Sequence, residues 1–296
     1  MKYKIGTAAK LLGVSPETLR LYERNGILVS DRGEGENGYR YYSRLDITAL
    51  MRARSYHQYG FSMRETEALI NTDDTDYILE EYKLRAERLE EEILFKRHVL
   101  DYLQRISALL EQLSSDLWTV RMEKSPGMYR LEFMKGNDLL LSAEQMGMFS
   151  QWVGLAPFAF PSQRNSWEAL EGGADESYSA LGILEEDART LAASGAGGPV
   201  SPGRERGAPA GRLQDLLSHG VYYPPSTCLY TVVEFTEENA SCVQYLSHLL
   251  RYVKEHRIKA AGDPICRTFL SMNKKENYHR FRQVWLPVEE EPGQLP

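Results

Sequence analysis

Apolar positions along the first seventy residues come in short groups separated by capping signals, the pattern of a small helical module. Ala8, Ala9, Leu11 and Leu12 form one group, open near Thr7 and stop at Gly13. Ser15-Pro16-Glu17-Thr18 then supplies an N-cap, a proline at the first helical position and an acid in the first turn, so a second helix is predicted over Pro16 to Arg24, closed by Asn25-Gly26. Two helices joined by Gly13-Val14 form a helix-turn-helix, whose second helix is the one built to enter a major groove. Asn37-Gly38 leads into the aromatic strand Tyr39-Arg40-Tyr41-Tyr42, a predicted hairpin wing. Ser43 caps a third helix, to about Tyr56, and Ser62 with Glu65 forms a capping box for a fourth, to Ile70.

From Thr75 to about Leu117 the chain has neither Pro nor Gly. Apolar residues at Tyr82, Ala86, Leu89 and Ile93, and again at Leu103, Ile106, Leu110, Leu113 and Leu117, recur in steps of three and four. One amphipathic helix of about 60 Å is predicted, too long for one small domain to bury. An intermolecular coiled coil is favoured over a private bundle because no neighbouring helix of equal length exists; Lys96 breaks the heptad.

After Pro126-Gly127 the periodicity shortens. Tyr129–Phe133, Phe158–Phe160 and Tyr178–Leu184 read as strands and Ala143–Val153 as a helix. A similar order returns with strand Thr227–Phe235, helix Glu237–His256 and strands Ile265–Met272 and Phe281–Val288. Two such halves give an α+β domain with helices on one sheet face. Between them residues 192–211 hold six Gly, three Pro and five Ala, which predicts a flexible insertion.

The length of 296 residues suits this division: a head at 1–74, a long helix at 75–117 and an α+β domain at 118–296. The net charge of −7 is unevenly spread. Residues 1–70 carry 11 Lys and Arg against 8 Asp and Glu, while the remainder carries 24 against 34. A basic head on acidic domains fits a nucleic-acid partner for the head alone. No apolar run is long enough for a membrane span and no signal core follows Met1, so a cytoplasmic protein without a membrane partner is expected. Cys228, Cys242 and Cys266 are too few and too widely spaced for a disulfide framework or a paired-cysteine site. The six histidines show no ligand spacing, so no metal and no cofactor are expected.

At Ile5-Gly6, Val14 through Arg20, Tyr22-Glu23, Gly26, Gly38 through Tyr42, Asp46 and Gly60-Phe61-Ser62 the chain resembles the MerR family of transcription regulators. The long helix stands where that family has its dimerisation helix. Gly262-Asp263-Pro264 and the closing Val284 to Val288 resemble the GyrI-like effector domain of multidrug-sensing members. The resemblance implies a multidomain fold: an all-α winged helix-turn-helix head, a long coiled-coil dimerisation helix and an α+β GyrI-like domain. It implies a homodimer that binds double-stranded promoter DNA, distorts it when a small-molecule effector binds, and thereby lets RNA polymerase engage. It implies no enzymatic activity; a ligand-sequestering or hydrolytic GyrI-like protein is the alternative.

For the head, cations and hydroxyls suited to phosphates and base edges are Lys4, Thr18, Arg20, Tyr22, Arg24, Tyr39, Arg40 and Tyr41, with Arg40 and Tyr41 the wing residues favoured by the resemblance. Tyr22 is expected to lay its ring on a sugar, and Tyr42 is the wing tyrosine expected in the core. For the effector domain, aromatic walls are sought at Trp152, Phe158, Phe160, Tyr178, Tyr230 and Trp285. Alternation on the last strand puts Gln283 and Trp285 on the pocket face and Val284 and Leu286 against helices. Gln283 stands where the family commonly carries a buried glutamate. That removes the main reason to expect a cationic ligand and points to a small aromatic or hydrophobic effector.

Overall fold

In the computed structural model, residues 2–28, 31–32, 40–193, 210–236, 238, 241–274 and 277–289 are described. The chain divides into two compact units, residues 1–90 and 91–296.

The first unit opens with β1 (Tyr3–Lys4), α1 (Ile5–Leu12) and α2 (Pro16–Arg24). Gly13 ends α1 at φ +61°, and a Cβ there would stand 3.0 Å from an Arg54 guanidinium nitrogen. That guanidinium donates to the Leu12 carbonyl, which the end of the helix would otherwise leave unpaired. The Ser15 hydroxyl accepts from the Thr18 amide and starts α2. β2 (Asp31–Arg32) and β3 (Arg40–Tyr42) complete a small antiparallel sheet in the order β1-β3-β2. The capping boxes Ser43/Asp46 and Ser62/Glu65 start α3 (Arg44–Gln58) and α4 (Met63–Asn71). Ala8, Leu12, Leu19, Ile27, Tyr42 and Leu50 meet in the core between these elements.

Next comes α5 (Thr75–Glu111), begun by the Asp74 carboxylate accepting from the Asp76 and Tyr77 amides. Within the first unit Tyr82 lies against Tyr56 and Phe61, Arg85 donates to the Tyr59 carbonyl at 2.6 Å, and Arg88 pairs with Glu65 at 2.9 Å. The close approach of Arg85 requires Gly60: its φ is +87°, and a Cβ would come within 2.3 Å of the guanidinium. The helix stops at Glu111 rather than running on to Leu117. The remainder forms a separate turn, α6 (Leu113–Asp116).

In the second unit the strands are β4 (Arg121–Lys124), β5 (Met128–Lys135), β6 (Asp138–Leu139), β7 (Phe160–Asn165), β8 (Ser177–Leu184), β9 (Val221–Tyr223), β10 (Thr227–Phe235), β11 (Ile265–Lys274) and β12 (Asn277–Pro287). They pair antiparallel in one sheet, β4-β10-β12-β11-β7-β8-β5-β6, with β9 also on β5. Helices α7 (Ala143–Val153), α9 (Glu185–Ala193) and α10 (Ala210–Ser218) bury Trp152, Leu191 and Leu216 against Leu131 and Ile183 of one half-sheet. α11 (Cys242–Tyr245) and α12 (Ser247–His256) bury Tyr245, Leu249 and Val253 against Leu229, Val284 and Leu286 of the other. α8 (Trp167–Glu171) adds Leu170 to that second cluster.

Several predicted bounds shift. The Phe158–Phe160 strand begins at Phe160 and runs to Asn165, because Phe158 and Ala159 still donate to Leu155 in a turn. The helix predicted over Glu237–His256 is two helices, separated at Leu246. The insertion predicted over 192–211 is helical at its edges, where α9 reaches Ala193 and α10 starts at Ala210; residues 194–209 lie outside the described residues. No helix among the described residues is long and apolar enough to cross a membrane.

Candidate nucleic-acid interface and ligand cavity

On α2 the alternation of buried and exposed positions follows the helical period. Leu19 and Tyr22 face the core, Arg20 and Arg24 lie on the outer side, and Thr18 is half-buried beside the Ser15 cap. Both arginines reach Glu17, at 2.8 Å from Arg20 and 3.0 Å from Arg24, and these contacts, the Arg20 hydrogen bond foremost, hold the Glu17 carboxyl below its usual range. Tyr22 departs from the expectation. It is 5% exposed, its ring stacks on His57 with centroids 5.9 Å apart, and burial pushes its hydroxyl upward. The Tyr22 ring is therefore a core element of the head.

In the wing, Lys4 and Tyr41 are cross-strand partners and share a face. Arg40, one position away, turns to α2 and donates to Glu23 at 2.6 Å, and Tyr42, fully buried, donates its hydroxyl to the same carboxylate at 2.8 Å. Tyr39 lies outside the described residues. The structural role of Arg54, which ties α3 to the end of α1, was not legible, because nothing in its local sequence sets it apart from the other arginines of α3.

The effector-domain candidates divide between the two faces of the sheet. Trp152 and Phe158 belong to the helix layer. Trp152 is fully buried and donates to the Leu216 carbonyl, and Phe158 meets the edges of Phe95 and Tyr102. Both are packing residues, and of the seven candidates only Trp285 lines the cavity described next.

Phe160, Tyr230 and Trp285 meet on the opposite face with Met128, Cys228 and Ile265, under Leu113 and Leu117. Here a cavity of about 360 Å³ is lined by Met128, Arg164, Tyr223, Ile265 and Trp285, among others. Gln283 follows Trp285 on this face, donates its amide to the Tyr230 hydroxyl at 3.1 Å and accepts from Arg267 at 3.4 Å. Tyr178 joins through Arg164, whose guanidinium stands 4.0 Å from its ring centroid.

Three arginines on this face were absent from the sequence-derived candidates. Arg130, with no exposed surface, donates to Ser162 and Glu132. Arg164 pairs with Glu132 at 2.8 Å and Asp263 at 2.6 Å. Burial alone would raise the Glu132 carboxyl, but hydrogen bonds from Arg164 and Arg130 outweigh it and hold it low. Arg267, 5% exposed, lies over the Phe160 ring at 4.8 Å. Their period-two spacing on β5, β7 and β11 was the available signal, but burial of a guanidinium depends on cross-strand neighbours that sequence spacing does not display.

Among the described residues no group of three or more His, Cys, Asp and Glu residues is arranged to hold a metal ion.

The family pattern described as MerR HTH family regulatory protein matches residues 3–72. A mercuric resistance operon regulatory protein of Pseudomonas fluorescens is 32% identical over 110 residues, 37% of this chain and 72% of that protein. A protein of the same description from Bacillus cereus is 37% identical over 76 residues, 26% of this chain and 57% of its own length. The chain thus spans little more than half of one of these relatives and under three quarters of the other. A MerR-family transcriptional regulator structure from Bacillus cereus aligns with 38% of this chain and 84% of its own, at 24% identity and a TM-score of 0.35. With its N-terminal segment matched to the family pattern and folded into a helix-turn-helix beside a small wing sheet, the chain belongs to the MerR family of helix-turn-helix regulatory proteins.

Proposed function

We propose that the protein is a homodimeric transcription regulator that binds promoter DNA through its head and responds to a small aromatic or hydrophobic ligand held by a GyrI-like domain, residues 118–296. The observation that carries this reading is the outer side of α2, where Arg20 and Arg24 stand together on a helix fixed by the Ser15 cap and by burial of Leu19 and Tyr22, with the Thr18 hydroxyl in its first turn. A helix so presented places cations and a hydroxyl where phosphates and base edges are met. Arg40 and Tyr41 in the wing and Lys4 beside them supply further backbone contacts, with Tyr39 as the remaining wing candidate. Dimerisation is assigned to α5, whose Leu79, Leu89, Ile93, Leu100, Leu103 and Leu110 are each at least 40% exposed. The apolar stripe of so long a helix is covered economically by the same stripe of a second copy.

The ligand site is the cavity lined by Trp285, and Tyr230, Phe160, Gln283 and Tyr178 stand on the same sheet face outside its lining. Its size suits a small organic molecule. Ligand binding there would set the geometry of the dimer helix, and the regulated step would be distortion of the promoter for RNA polymerase.

Protection of the protein's own upstream DNA from nuclease, with and without candidate aromatic ligands, tests this reading. A footprint that changes hypersensitivity at its centre when ligand is added is the expected result. Absence of any footprint at low salt would overturn the assignment of DNA binding.

A further inference from the structure

The charged residues of the cavity lining, Arg164 and Asp263, pair with each other, and a third charge, Arg267, stands just beyond the lining. Resting on the cavity reading above, we propose that the ligand is an organic anion, an aromatic carboxylate, and that Arg267 is the residue that selects it.

Ile265 and Trp285 are cross-strand partners, and both line the cavity. The next pair on the same face is Arg267 with Gln283, one strand step of about 6.6 Å beyond the lining residues. Arg267 is 5% exposed, its Nε has no hydrogen-bond partner, and no carboxylate among the described residues lies within ion-pair distance of it. What it has instead is the ring of Phe160 and a 3.4 Å contact to the neutral oxygen of Gln283. Asp187, an acid whose field reaches it, pairs with Arg105 through one oxygen.

The neighbouring cations do not share this condition. Arg130 and Arg164 divide Glu132 between them, and Arg164 also holds Asp263. The ion pairs of Arg130 and Arg164 use Glu132 and Asp263, and neither carboxylate is within ion-pair distance of Arg267. A buried charge without a counterion is costly, and an entering anion would lower that cost while a cation would raise it. The 3.4 Å contact with Gln283 is weak enough for a carboxylate to replace. A second orphan points the same way: Trp285, which lines the cavity and is 3% exposed, has an Nε1–H with no acceptor. The Arg267 Nε–H and the Trp285 Nε1–H each lack an acceptor, and a carboxylate has two oxygens. The apolar wall of Trp285, Ile265 and Met128 would take the ring to which that carboxylate is attached.

Calorimetric titration of the full-length protein with 1-naphthoate, 1-naphthamide and 1-naphthylmethylammonium separates the possibilities. These probes share one ring system and differ in charge. The expected order is anion, then amide, then cation, with at least about tenfold between the extremes. Arg267→Gln should collapse that ratio to near unity. Gln283→Glu, which keeps the guanidinium and gives it a carboxylate partner, should do the same. Equal or tighter binding of the cation, or a ratio unchanged in a folded variant of either kind, would overturn the assignment of charge while leaving the cavity reading intact. Failure of all three probes to bind would overturn the cavity reading and this inference with it.

Discussion

Arg40 of the wing donates to Glu23 of the recognition helix at 2.6 Å, with 13% of the Glu23 side chain exposed. Tyr42 donates to the same carboxylate, so one acid fixes the wing strand against α2. Replacing Glu23 by Ala leaves the buried Tyr42 hydroxyl and the Arg40 guanidinium without this acceptor. The expected loss is about 2 to 3 kcal/mol of head stability, read as a lower urea midpoint with an unchanged slope. A midpoint equal to that of the parent would show that the wing is held by other contacts.

Glu17 occupies both Arg20 and Arg24 on the outer side of α2. Glu17→Gln should release these cations to phosphate, raising affinity for a promoter fragment and steepening its dependence on salt by about one unit for each new phosphate contact. Arg20→Ala and Arg40→Ala should act in the opposite direction. Binding measured at two salt concentrations decides the matter, and an unchanged slope in any one of these variants would remove that residue from the interface.

The exposed leucines of α5 lead to an association test. Leu110, 40% exposed, replaced by Glu should leave the head folded and the protein monomeric. Sedimentation of the variant at the mass of the parent dimer would place the interface elsewhere.

His248 sits between Thr231, whose hydroxyl is 2.9 Å from its Nε2, and the edge of Trp118. Burial, helped by the charge of Arg251, lowers its pKa to about 4 from 6.5. In this interval the unfolded chain binds a proton that the folded domain excludes, so stability is full above about 6.5 and is lost as pH falls toward 4, by at most about 3 kcal/mol. His248→Gln should flatten that stretch of the stability profile. An equal acid loss in the variant would assign the effect to other groups.

The strongly periodic segments were legible before folding was considered. Ala143–Val153 and Thr227–Phe235 form with the bounds their patterns predict, because each is bordered by a capping residue or a turn. The alternation on β12 likewise sorts Val284 and Leu286 toward the helices and Trp285 toward Tyr230. Short elements such as β4, β9 and α8 carry too few residues for a period to emerge, and their existence depends on partners distant in the chain. The same limit applies within the site. Trp152 and Trp285 are equally aromatic, yet one donates to a helix carbonyl and the other lines the cavity, a distinction made by the sheet between them. Arg267 was invisible for a related reason: a cation in a strand reads as solvent-facing until the strands on both sides are known.

The two contacts that Arg85 and Arg88 make with the head carry a thermodynamic obligation. A helix joined in this way to α4 and to the turn before it cannot change its attitude without altering the free energy of the surface it supports. Coupling of that kind runs equally in both directions. If a molecule held by residues 91–296 alters promoter affinity by some factor, the promoter must alter the affinity for that molecule by the same factor. The operator is then itself an effector, and the concentration at which the cell's signal is read will depend on whether the protein is already seated on its DNA.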